Sequence, residues 1–171
     1  MFALTDEAKK TIPPEIEAAW TADVRLAVRR MALLYHSMTT NLIAALGEEE
    51  AKKLTDKIVW DYGTLCGQAV REAVLAQGKP LTYENFRSVP DLPSKGWEHG
   101  SYTDEAGQTH ATVSYCPVAD VFAQYKTPLA RSYCLVDPSK YEGYDPEHTM
   151  RHAKHVMDGD GFCWIVVEKK Q

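Results

Sequence analysis

The chain has 171 residues, 25% of them charged and 44% hydrophobic, with a formal net charge of -5. That length suits one domain, 1–171, able to bury a core without disulfides or metal. The acidic balance argues against nucleic acid as a partner, since such binding needs a basic face. No apolar run approaches the ~18 residues of a membrane span. The charged start MFALTDEAKKTIPP lacks the apolar centre of a signal peptide, so a cytoplasmic protein is expected.

Residues 1–80 read as a helical half. Pro13-Pro14 opens a first helix, because proline suits a first helical turn. Ile16, Trp20, Val24, Met31, Leu34 and Met38 recur at steps of three and four, which predicts a core-facing stripe. Gly47 ends that helix. A second begins near Glu48, carries Leu54, Ile58, Leu65 and Ala69 as its stripe, and stops at Gly78-Lys79-Pro80. The short link predicts an antiparallel pair. Gly63 and Gly67, one turn apart, predict the close approach of another backbone. Trp20 and Tyr35 can serve an interface instead of the core, which leaves room for a homo-oligomer.

Residues 81–171 read as a mixed half. The stretch 81–93 reads as a short helical turn and a loop. Alternation over 97–103 and 109–115, around Asp104-Glu105-Ala106-Gly107, predicts a hairpin. Cys116-Pro117 opens a helix to about Tyr125, and Thr127-Pro128 opens another to about Leu135. Residues 137–146, bounded by Asp137-Pro138 and Asp145-Pro146, read as a loop. A second hairpin joins 149–157 to 162–168 through Asp158-Gly159-Asp160-Gly161. The sum is α+β: a long N-terminal helical pair packed on an antiparallel sheet of about four strands, with a helical segment between the hairpins.

Among the chemistry-bearing residues, Cys116 precedes Pro117 and so predicts a helix N-cap, where free N–H groups lower a thiol pKa. Its bland reading is a small buried hydrophobe. Cys134 precedes Asp137 by three, so both share a face if the helix persists. Asp137 can act as general base or orient a histidine, or simply cap the loop before Pro138. A carboxylate alone disfavours a thiolate, so a histidine or cation is needed as well. Strand alternation puts His148 and His152 on one face and His155 on the other, so the three do not all converge. His99 and His110 are placed to pair across the first hairpin. Three cysteines and a histidine make a sensible zinc set, yet the sequence holds no CxxC pair.

Taken in order, Cys116-Pro117, Cys134-x-x-Asp137 and Gly159-Asp160-x-x-Cys163, followed by Trp164, resemble the L-2-amino-thiazoline-4-carboxylic acid hydrolase family. The helical front half is similar in general layout. The resemblance implies a hydrolase without a cofactor, acting on a cyclic amidine- or amide-like C–N bond of a small-molecule substrate. A thiolate then attacks the electrophilic carbon and an acid protonates the leaving nitrogen. In that reading Cys163 faces a pocket shared with Cys116 and Cys134, and Asp137 with His152 or His155 moves protons. Cys134 leads as nucleophile because of Asp137, with Cys116 close behind. The tail is also similar to the end of vinyl-reductase-type small-molecule-binding domains, which implies the alternative of a small-molecule- or zinc-binding sensor without turnover.

Overall fold

A computed structural model describes residues 13–89, 91 and 93–170. Residues 1–12, read above for their charge, lie outside them. Helix α1, Pro14–Leu46, starts at the expected prolines and ends at Gly47, whose φ of 79° suits glycine. Helix α2, Glu48–Leu75, follows at once. The two helices touch, but α1 also packs on α4 (Pro117–Tyr125), and α2 packs most extensively on α6 (Val136–Tyr144).

The α2–α6 contact explains the paired glycines. A Cβ at Gly67 would lie 1.9 Å from the Lys140 carbonyl oxygen, and one at Gly63 would lie 1.9 Å from Ser139 Oγ. On the other side, Gly143 of α6 meets the Thr64 carbonyl in the same way, at 2.5 Å. The two backbones therefore approach through positions without side chains.

The expected stripes hold in part: Val24 and Met38 of α1 are half-buried and pack against the core. The buried positions are Val28, Ala32, Tyr35 and Thr39 on α1, and Ala51, Thr55, Val59, Gly63, Gly67, Val70 and Val74 on α2. Leu34 is 72% exposed and Leu65 66%, and Trp20 and Ile58 are also exposed. Helix α2 turns a neighbouring face inward, because its contact with α6 admits only glycines and small side chains. Tyr35, considered for an interface, is core: its hydroxyl donates to the Leu129 carbonyl at 2.7 Å.

Helix α3, Tyr83–Ser88, is capped by Thr82, whose hydroxyl accepts from the Asn85 N–H at 3.2 Å. Strands β1, Glu98–Thr103, and β2, Thr109–Tyr115, form the expected first hairpin. Strands β3, His148–Lys154, and β4, Cys163–Lys169, form the second. The sheet is antiparallel in the order β1-β2-β4-β3, and Val113 pairs with Cys163 at the junction of the hairpins. The architecture is α+β, as expected.

Two segments differ from expectation. Residues 137–146 are largely helix α6 and not loop; Pro138 lies in its first turn, where a missing N–H costs nothing. Helix α5 is one turn, Ala130–Tyr133, and does not begin at Thr127-Pro128, because Lys126 and Leu129 take left-handed φ values of 49° and 53°. Two buried clusters result. One joins α1, Val59 of α2 and α4; the other joins Val70 and Val74 of α2 to Tyr141, Tyr144 and Met150. No described helix is long and apolar enough to cross a membrane.

Candidate active site

A cavity of 370 Å³ lies between α1, α2 and the α4–α6 segment, and Cys116, Cys134 and Asp137 line it. Each arrives by a local rule. Cys116 ends the extended β2 segment and is the N-cap of α4, because Pro117 cannot continue a strand ladder and fits a helix start. Cys134 ends α5, and the Asp137 N–H donates to its carbonyl at 3.3 Å. That turn puts the Asp137 carboxylate in the same cavity wall as the Cys134 thiol.

Burial dominates the electrostatics. It pushes the Cys116 thiol up, and the nearby N–H groups of Ala119 and Val118 and the Trp97 side chain only partly offset it. The lowered pKa expected from the N-cap position is therefore not found: desolvation outweighs the helix end. Cys134 is pushed up strongly, first by burial, then by the charge of Asp137. Cys163 is raised as well, chiefly by burial, with Cys116 and Asp137 adding to it. All three thiols are neutral at rest.

Behind Asp137 stands a pair of imidazoles. His152 Nε2 lies 3.1 Å from Asp137 Oδ2, and the His152 side chain is only 6% exposed. The His155 ring packs edge-on against His152 at 4.7 Å between centroids. This overturns the expected opposite facing of the two. The β3–β4 register shifts between His152 and Lys154, and the strand ends there, so regular alternation fails at this point. His155 Nδ1 accepts from the Met157 N–H at 3.0 Å, which places the ring proton of neutral His155 on Nε2. Burial, then Arg131 and His152, lower its pKa to about 4, so it is neutral near pH 7. The Asp160 carboxylate accepts from the His155 backbone N–H at 2.8 Å and holds the glycine-rich turn.

Cys163 does not share the first cavity. It is buried at the head of β4 and lines a second cavity of 190 Å³ between the sheet and α3. Asp137, His99 and Lys140 line both cavities. His148 bonds Asp145 at 2.9 Å, away from the cavity. His110 pairs with Asp104 at 2.7 Å and stacks on Trp164, so His99 and His110 do not pair with each other. Two residues went unread in the sequence. Lys140, bonded to Asp91 at 2.8 Å, follows Asp137 by three on α6, a relation visible only once 137–146 is a helix. Cys66 lines the α2 wall beside Tyr62, whose hydroxyl burial and the Cys66 thiol push up to about 12.

Among the described residues, no group of three or more His, Cys, Asp or Glu is placed to hold a metal ion. The three cysteines and a histidine therefore do not form the tetrahedral set considered for zinc.

The thiol- and carboxylate-lined cavity falls in the size range of small-molecule pockets. Residues 27–166 match the family of L-2-amino-thiazoline-4-carboxylic acid hydrolases, so the match reaches well into the helical half. The chain belongs to that family, a family of hydrolases. No curated protein and no solved structure matches it.

Proposed function

We propose that the chain is a cysteine-dependent hydrolase that opens a cyclic amidine- or amide-like C–N bond of a small molecule. The observation that carries this reading is one cavity lined by Cys116, Cys134 and an Asp137 backed by His152. Cys116 is the better nucleophile. The N–H groups of Ala119 and Val118 favour its anion, and the Asp137 charge, which opposes both thiolates, weighs more on Cys134 than on Cys116. Because the thiol is neutral at rest, its proton leaves as the attack proceeds.

With the substrate as its imino tautomer, Asp137 takes that proton while Sγ bonds to the amidine carbon and the exocyclic C=N pair moves onto the exocyclic nitrogen. That pair re-forms the C=N bond as the ring C–N bond breaks, and Asp137 gives the proton to the departing ring N–H, which leaves as an amine. Water adds to the sulfur-bound carbon, gives a proton to Asp137, and the C=N pair again moves onto nitrogen. That pair re-forms the C=N bond as the C–S bond breaks, the thiolate takes the proton back from Asp137, and the C(OH)=NH group so formed shifts one hydrogen to become the amide, so the net change is addition of one water. His152 holds the carboxylate in place throughout.

The test follows ring opening of 2-amino-thiazoline-4-carboxylate by mass spectrometry, with circular dichroism to check folding. Cys116→Ala is expected to abolish turnover, and Cys163→Ala to keep most of it. Turnover lost only in Cys134→Ala would move the attack there, and turnover kept in both single variants would end the cysteine mechanism.

The raised thiols also favour a second reading, a binding module without turnover. It predicts a small molecule retained through purification and no ring opening under any condition.

A further inference from the structure

The second cavity has no role in the chemistry above. Its walls are mainly apolar, with Tyr83 and Phe86 of α3 on one side and Val113, Met150 and Ile165 of the sheet on the other, and Arg87 and Thr112 are its own polar members. At 190 Å³ it is smaller than a ligand pocket of its own, for which about 300 Å³ is a lower bound. It adjoins the first cavity, because Asp137, His99 and Lys140 line both. Asp137, His99 and Lys140 thus stand at the junction, with Cys116 and Cys134 on one side and a largely apolar annex, which also holds Arg87 and Thr112, on the other.

We propose that the substrate is bipartite: an amidine-like head at Asp137 and Cys116, and an apolar arm of aromatic or branched aliphatic character in the chamber under α3. This rests on the hydrolase reading of the first cavity. The arm supplies binding energy away from the reacting bond and sets the head against the thiol. Only an arm short enough for the annex is accepted, and Ile165 and Met150 at its floor set the limit.

The test compares alkylation of Cys116 and Cys134 by iodoacetamide and by N-benzyl-2-iodoacetamide. Each rate is read by peptide mass spectrometry and divided by that reagent's rate with glutathione. Cys163 is not a readout, because it lies in the arm's own chamber. The benzyl reagent is expected to react on the order of tenfold faster, the scale of selectivity that apolar pockets give. Ile165→Trp fills the annex and should remove that advantage, read as the ratio of the two reagents' rates on the same variant. Millimolar N-benzylacetamide should slow the benzyl reagent on the unaltered chain, a measurement that holds even where the variant fails to fold. Equal normalised rates, an advantage that survives in a folded Ile165→Trp variant, or no protection by N-benzylacetamide would each overturn the proposal. Alkylation needs no turnover, so a chain that hydrolyses nothing still reports on the annex. An active hydrolase with no benzyl preference keeps the first reading and loses the arm.

Discussion

Asp137 carries two opposed effects. Its charge raises the thiol pKa of Cys116, Cys134 and Cys163, and in the proposed mechanism its carboxylate takes the proton of a neutral thiol. Asp137→Asn separates them. Turnover should fall about 10²–10⁴-fold, the usual weight of a general base. Alkylation of Cys134 by iodoacetamide at a fixed pH near 8 should become faster, because the like charge is gone and the thiol titrates lower. An unchanged alkylation rate would show that burial alone sets the thiol. The Cys134-x-x-Asp137 relation was legible from spacing, because a single turn suffices to pair them. The convergence of His152 and His155 was not, since it depends on a register shift that strict alternation hides.

Among the elements, α2 shows where helix reading succeeds and fails. Its bounds and its paired glycines were legible, while its buried face was not. The hydrophobic period selects the largest side chains, but the contact with α6 selects the smallest. Gly67→Ala makes the point quantitatively. Helix propensity alone would stabilise by about 1 kcal/mol. A Cβ 1.9 Å from the Lys140 carbonyl must displace backbone, however, and overpacking of that kind costs about 1–3 kcal/mol or more. The expected result is a net loss in urea unfolding. On α1, Leu34→Gln should change stability by no more than about 0.5 kcal/mol, as at other exposed positions. Ala32→Leu, at the buried face, should cost about 1–3 kcal/mol. The reverse order would restore the stripe read from periodicity. Helix α6 stands where two Asp-Pro pairs suggest a loop, because Pro138 falls in the first turn, where proline suits a helix start.

In the molecule as a whole, the class and the two hairpins were legible from changes of period, whereas the strand order was not. The pairing of β2 with β4 rests on Thr112 with Trp164 and Val113 with Cys163, far apart in the chain. No local pattern announces such a contact. Global stability should carry the signature of His155. Folding lowers its pKa to about 4 from 6.5, so between those values the unfolded chain binds a proton that the folded chain does not. This contribution is complete above pH 6.5 and is lost as pH falls through about 4. Thermal stability should therefore fall as pH drops from about 7 to about 4.5. His155→Asn keeps an acceptor for the Met157 N–H and should flatten that slope. A slope unchanged in the variant would assign the acid sensitivity to other groups.

The contact between α2 and α6 also has a metric consequence. Tyr62 and Cys66 stand on one of these helices, Asp137 and Lys140 on the other, and all four line the same cavity. The distance between those walls is fixed by the hydrogen atoms that Gly63 and Gly67 carry in place of side chains. The site is thus gauged like a slot whose shims lie outside the slot. A methyl group added at either glycine would press on the α6 backbone and widen the gape without replacing any lining side chain, and the thickness of the molecules admitted would change while the lining side chains stayed the same.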